Sequence, residues 1–297
     1  MLAALAAACA ASVEDSYTSW SRQPTGPFSV THKSYNVSAL DESDRRVNVV
    51  FPTAEGRFPL VAYAHGFDDR GYVDYTDLFS DLASWGYVVV APLSCRWGCV
   101  GDCKSQKHDP PCFGNYYLQQ LKTIEWAQTS PDAKALPINR SAGVAIAGHS
   151  MGGQATLFSA AYNSSSYDIR AAAMHHAYTH EYPAAAVPFL AFTGELDDVA
   201  PPKMAESFYR TPGACSTRGL VNKLTATHHE PSTQYNPELG LATVGWFKIF
   251  VDGTPTFGGK DFEALLFGHG KDSLCHGGDG LLKECKLVRG TGSTPCD

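Results

Sequence analysis

At residues 143–153 the chain reads GVAIAGHSMGG, an apolar run that passes without a break into glycine–serine–glycine spacing. Val144, Ala145, Ile146 and Ala147 suit a strand buried on both faces, and a helix-forming stretch follows at 154–161. G-x-S-x-G between a strand and a helix puts Ser150 on a tight, strained turn, where a Cβ at either flanking position would collide with neighbouring backbone. The turn exposes the hydroxyl beside a helix N-terminus, whose unpaired N–H groups favour negative charge. Ser150 is therefore the candidate nucleophile, and the strand–turn–helix unit commits the chain to layers of helix and sheet.

The rest of the sequence repeats that alternation. Candidate strands fall at 29–37, 46–51, 60–65, 87–92, 143–148, 171–175, 189–193 and 220–226. The third, fourth, fifth and seventh are continuous apolar runs, as in strands covered on both faces. The first two alternate and suit an antiparallel edge. Between strands, Tyr75, Leu78, Phe79, Leu82 and Trp85 share one helical face, and Leu118, Leu121 and Ile124 another. A last helix is expected from an Asn236 cap with Pro237 in its first turn, ending by Gly253. The expected fold class is α/β: a mostly parallel sheet of eight to nine strands with helices on both faces.

A serine hydroxyl is a weak nucleophile alone, so a base and a group to orient it must follow, in the order Ser, acid, His for this arrangement. The seventh strand runs into Gly194-Glu195-Leu196-Asp197-Asp198-Val199-Ala200-Pro201, which offers two aspartates. The eighth ends near Ala226-Thr227-His228-His229-Glu230, which offers two histidines. The amide after the nucleophile, Met151, and that of Phe67 in the loop His65-Gly66-Phe67 are the expected oxyanion donors. His175, His176 and His180 read as ordinary core or surface residues.

A net charge of −7 with no long Lys or Arg run gives no attraction to nucleic acid or anionic membranes. No apolar run reaches the length of a membrane span. No cofactor motif occurs: there is neither a dinucleotide fingerprint after a strand, nor a phosphate loop, nor H-E-x-x-H. Residues 1–11 are almost all Ala and Leu, and Ala8-Cys9-Ala10 has the form of a signal-peptidase site, so export is expected. Removing that leader leaves eight of the nine cysteines, and in an exported chain Cys95, Cys99, Cys103, Cys112, Cys215, Cys275, Cys285 and Cys296 read as disulfide staples. A zinc site from the first four or His108 fits poorly, because the paired C-x2-C knuckles are missing; no metal is expected. Sequons stand at Asn36, Asn139 and Asn163.

Together, His65-Gly66-Phe67, Gly148-His149-Ser150-Met151-Gly152-Gly153, the turn from Asp197 to Pro201, His228 and the closing GWFKIFVD of residues 245–252 resemble the cutinase-like polyester hydrolases, which include the PET hydrolases. The resemblance covers roughly residues 26–253, with Ser-to-Asp and Asp-to-His spacings of 47 and 31 residues. It implies the α/β-hydrolase fold, catalytic Ser150, Asp197 and His228, and an oxyanion hole from Phe67 and Met151. Asp197 is preferred over Asp198 by the pattern Asp-x-Val-Ala-Pro, and His228 over His229 by Ala-Thr-His. Tyr178 takes the place of the family's aromatic platform, usually Trp, and His149 joins it as substrate-binding. The 13 residues between the sixth and seventh strands are too few for a cap domain, which implies an open cleft. The segment between Cys95 and Cys112 and the Cys-rich tail at 254–297 depart from the family; residues 12–297 are expected to form one domain with that tail as an extension. The implied function is a secreted, monomeric serine carboxylesterase of cutinase or polyesterase kind. A lipase or chlorophyllase-type esterase is the alternative, and a non-catalytic binding protein the more distant one.

Overall fold

The computed structural model describes residues 26–40, 44–99, 113–277, 281–291 and 296. The leader expected at residues 1–11, Cys103, His108 and Cys112 lie outside the described residues. Strands β1 (Val30–Asn36), β2 (Arg46–Pro52), β3 (Leu60–Ala64), β4 (Val88–Pro92), β5 (Val144–His149), β6 (Ile169–His175), β7 (Phe189–Gly194) and β8 (Arg218–Lys223) alternate with helices α1 (Thr76–Ser84), α2 (Tyr116–Thr129), α3 (Met151–Tyr162), α4 (Pro202–Tyr209) and α5 (Pro237–Phe250). In the tail follow a short hairpin, β9 (Thr256–Phe257) and β10 (Lys260–Asp261), then α6 (Phe262–Phe267) and β11 (Leu282–Val288).

The main sheet has nine strands in the order β1-β2-β4-β3-β5-β6-β7-β8-β11. From β4 to β8 every pairing is parallel; β1, β2 and β11 run antiparallel to their neighbours. This is the mostly parallel α/β-hydrolase sheet that the sequence implied.

Period-two alternation divides the core. Leu60, Ala62, Val88, Val90, Val144, Ile146, Phe189 and Ala191 point to one face, where they meet α2, α3 and α4 through Leu121, Ile124, Leu157, Phe158 and Phe208. Their neighbours Val61, Tyr63, Val89, Ala145, Ala147, Ala171, Ala173 and Leu190 point to the other, against Phe79 and Leu82 of α1 and Val244, Trp246 and Phe247 of α5. Trp246, the largest fully buried side chain among the described residues, belongs to that second cluster and packs against Phe250 and Phe267. Each buried Val, Leu, Ile or Phe side chain contributes roughly 1.5–3 kcal/mol by leaving water. Asn236 caps α5 by accepting the Glu238 amide (3.0 Å), with Pro237 in the first turn, as expected.

Two expectations are corrected. Leu118 does not share the buried face of α2: it is 39% exposed, and the polar Gln119, Gln120 and Thr123 are buried instead, Gln120 donating to the carbonyls of Ala62 and Ala147. Strand β8 ends at Lys223, so His228 stands in the following loop, free of the strand's register. The tail, expected as a disulfide-tied extension of little periodicity, adds a strand to the sheet. Its β11 pairs with β8, a register shift between Leu282 and Glu284 interrupts the alternation that would have marked it as a strand, and Cys275–Cys285 and Cys215–Cys296 fasten it. A third disulfide, Cys95–Cys99, closes a tight loop after β4.

Among the described residues no cap is inserted between β6 and β7; residues 176–188 run as irregular chain. No helix of the described residues is long and apolar enough to cross a membrane.

Candidate active site

Ser150 occupies the single-residue junction between β5 and α3, at φ 55° and ψ −118°. That conformation costs a non-glycine residue on the order of 1–3 kcal/mol, and the surroundings enforce it. A Cβ on Gly148 would lie 2.1 Å from the Gly152 carbonyl oxygen, and one on Gly152 only 2.0 Å from that of Ala64. The Ser150 amide donates to the His175 carbonyl (3.1 Å), while the Ser150 carbonyl accepts from Tyr178 (3.0 Å). The elbow is thus tied to the end of β6. Met151 is the first residue of α3, so no helical carbonyl receives its N–H.

The loops after β7 and β8 bring Asp197 and His228 to the serine. His228 Nε2 lies 2.9 Å from Ser150 Oγ, and His228 Nδ1 lies 2.9 Å from Asp197 Oδ2. Asp198 and His229, the alternatives left by the residues alone, are exposed. The other carboxylate oxygen, Asp197 Oδ1, accepts the amides of Val199 (3.0 Å) and Ala200 (2.7 Å), which is what the Asp-x-Val-Ala-Pro turn supplies. Burial pushes the Asp197 carboxyl up, but hydrogen bonds from His176 and His228 outweigh it and hold the group well below the usual carboxylate range.

His149, expected to bind substrate, stands inside the fold. It is buried, its Nε2–H donates to the His228 carbonyl (2.8 Å), and its Nδ1 is hydrogen-bonded to the Tyr75 hydroxyl (2.7 Å). It therefore braces the loop that carries His228, with both ring nitrogens engaged inside the fold. Burial lowers its pKa to about 4, so the ring is neutral at pH 7. Asp69 Oδ2 and His149 Nδ1 compete for the single proton of the Tyr75 hydroxyl; burial raises the Asp69 carboxyl, but the hydrogen bond and charge of a protonated His149 ring carry it down to about 2.

The loop after β3 abuts the nucleophile: a Cβ on Gly66 would sit 3.3 Å from Ser150 Cβ. Its amides are distributed in a definite way. Gly66 donates to the Tyr75 hydroxyl (2.9 Å) and Asp68 to the Arg96 carbonyl (2.7 Å), with Phe67 between them. The Phe67 ring is not core: it is 47% exposed and packs edge-on to Trp97, which is 63% exposed, and against Phe113. Phe113 in turn meets Tyr178, and Tyr178 meets His180. An aromatic rim so runs from the Cys95–Cys99 loop to the chain after β6. Trp97 and Phe113 were not picked out by sequence reasoning; for Trp97, an aromatic between two closely spaced cysteines was the available signal.

The larger surprise is behind the acid. His176, expected to be an ordinary residue, is buried with Nδ1 2.8 Å from Asp197 Oδ2 and Nε2 3.0 Å from Glu230 Oε2. No spacing rule pointed to it. The donor atoms of His176, Asp197 and His228 fall within 4.8 Å of one another, close enough for an ion, but each imidazole already aims Nδ1 at Asp197 and hydrogen bonding accounts for the convergence.

Known proteins match along most of the chain. Cutinase 1 of Thermobifida cellulosilytica is 25% identical over 272 residues, covering 90% of this chain and 92% of the relative. The cutinase of Thermobifida fusca (strain YX) is likewise 25% identical over 272 residues, covering 90% of this chain and 80% of its own. Chlorophyllase-1 of Arabidopsis thaliana is 30% identical over 100 residues, which are 29% of this chain and 28% of the relative. A family model described as PET hydrolase-like matches residues 10–259, a span that holds the serine elbow and the loops of Asp197 and His228. The chain belongs to the PET hydrolase-like family.

Proposed function

We propose that this chain is an extracellular serine carboxylesterase of cutinase or polyester-hydrolase type that works through an acyl-enzyme. One observation carries the reading: Ser150 Oγ, His228 and Asp197 form an unbroken run of 2.9 Å contacts at the strained elbow. Ser150 Oγ attacks the ester carbonyl carbon while His228 Nε2 takes its proton. The carbonyl oxygen becomes an oxyanion facing the amides of Met151 and Phe67, each contributing roughly 3–4 kcal/mol to the transition state. Collapse expels the alcohol, which receives the proton from His228. Water, deprotonated by the same imidazole, then attacks the acyl-serine, and the acid returns with Ser150 restored. Asp197 holds the imidazole in the tautomer that presents Nε2 and stabilises its charged form.

Family membership and the cutinase relatives support an ester as substrate. The uncapped cleft and the aromatic rim at Phe67, Trp97 and Tyr178 favour bulky or polymeric esters. Three disulfides among the described residues fit an oxidising, extracellular setting. The stretch similar to Chlorophyllase-1 favours a second reading, an esterase of lipid or pigment esters.

The test compares wild type with Ser150→Ala on p-nitrophenyl esters from acetate to palmitate, on amorphous PET, on an aliphatic polyester and on chlorophyll. Soluble products from polyester, lost in the variant, are expected. Turnover limited to long-chain esters or chlorophyll would move the protein to the second reading. Undiminished turnover by Ser150→Ala would remove Ser150 as the nucleophile, and a wild type inert on every ester would undo the triad assignment.

A further inference from the structure

We propose that His176, backed by Glu230, is a positioning residue of the site: a second, charged imidazole that holds Asp197 at the same carboxylate oxygen as His228 and sets the charge His228 faces. The inference rests on the Ser150, His228 and Asp197 reading above.

The argument begins with donors and acceptors. An ionised carboxylate only accepts hydrogen bonds. The two nitrogens of His176 face two carboxylates, Asp197 at 2.8 Å and Glu230 at 3.0 Å, in a buried setting. For both contacts to be hydrogen bonds, both nitrogens must carry hydrogen, which makes the ring an imidazolium. The energetics agree. Burial pushes the ring's pKa down, yet the hydrogen bonds to Asp197 and Glu230 raise it to about 9. Burial likewise raises the Glu230 carboxyl, and the His176 bond brings it below its ordinary range.

Geometry gives the consequence. Asp197 receives four donors: two amides on Oδ1, and His176 and His228 on Oδ2. The carboxylate has no freedom to rotate away from the base. A cation beside the acid would by itself weaken the acid's hold on a protonated His228, and Glu230 cancels that cation. Asp197, His176 and Glu230 together present one net negative charge, as a lone aspartate would. The far side of Glu230 is closed by Asn236 Nδ2 at 2.6 Å and Lys223 at 3.6 Å, and Lys223 is shared with Glu238 at 3.0 Å. The remaining titratable neighbours, His149 and His175, are both driven down by burial and stay neutral at pH 7.

The experiment measures kcat and KM against pH on a p-nitrophenyl ester for wild type, His176→Asn, Glu230→Gln, the double variant and Ser150→Ala, with circular dichroism and melting curves as folding controls. Asparagine keeps a donor near the Nδ1 position and removes the charge. His176→Asn is expected to lower kcat about tenfold or more with KM little changed, and to move the acid limb of the profile up by about one pH unit, because a cation is lost and Glu230 is left uncompensated. The double variant removes both charges and should bring that limb back toward wild type. Nitrogen-15 spectra of wild-type histidine rings should show His176 protonated at both nitrogens near about pH 8, well above the ordinary histidine range. A singly protonated His176 ring there would overturn the proposal even if His176→Asn does not fold. So would a folded His176→Asn with a wild-type profile, or an acid limb that the second substitution leaves displaced. Turnover by Ser150→Ala would instead bring down the underlying triad reading.

Discussion

His176 and His228 meet at one atom: both direct Nδ1 at Asp197 Oδ2, from 2.8 and 2.9 Å. The acid is therefore shared, and the loops after β7 and β8 are joined through it to the end of β6. Its neighbour Asp198 is exposed and belongs to none of this.

Asp197→Asn should lower kcat by about 10³- to 10⁴-fold, since an amide neither stabilises the charged imidazole nor accepts from two rings at one oxygen. Asp198→Asn should stay within about twofold of wild type, as expected of a surface substitution. Steady-state kinetics on one soluble ester distinguishes the two.

The elbow stores strain at Ser150, so Ser150→Gly should abolish turnover and raise unfolding free energy by about 1 kcal/mol, relief of the positive φ outweighing the entropy of the added glycine. Urea unfolding followed by fluorescence measures it. A loss of stability would mean that the φ of 55° is not strained in this setting.

Asp81 is buried beneath Tyr235, and burial raises its carboxyl to about 7 despite the Tyr235 hydrogen bond. Unfolded, the same group loses its proton near pH 4, so between those values the folded chain holds the extra proton and stability falls as pH rises. Asp81→Asn should accordingly stabilise the protein by roughly 1–3 kcal/mol at pH 8 and make little difference at pH 4. Denaturant midpoints at the two pH values give the comparison.

Cys215–Cys296 spans 81 residues, the largest loop closed by any of the three described disulfides. Replacing both cysteines by serine should cost about 2–4 kcal/mol of stability while leaving kcat near wild type, because the bond lies on the tail. Calorimetry beside kinetics checks both halves of that statement.

What could be read from the sequence follows from where the physics is local. Strands such as β3, β4, β5 and β7 are apolar throughout because both faces are covered, and the serine elbow needs glycines within two residues of the nucleophile. Picking Asp197 and His228 from their neighbours needed family likeness, because the residue types alone left two candidates in each loop. His176 was illegible: its partners stand 21 and 54 residues away, and only the adjacency of β6 to β7 and the loop after β8 brings them to it. The strand β11 was hidden by its own irregularity, since the shift after Leu282 breaks the alternation. The aromatic rim depends on how two loops lie side by side, which no pattern within either one encodes.

The place of β11 has a further meaning. A chain ending at Gly253 would retain Ser150, Asp197 and His228 but leave the outer edge of β8 as a row of unpaired amides and carbonyls, a template on which a second molecule could build. The tail fills that edge with a strand bearing Lys283, Glu284 and Lys286, charges that discourage the next addition. The edge of β8 is thus covered by this chain's own tail, several strands away from Ser150 at the end of β5.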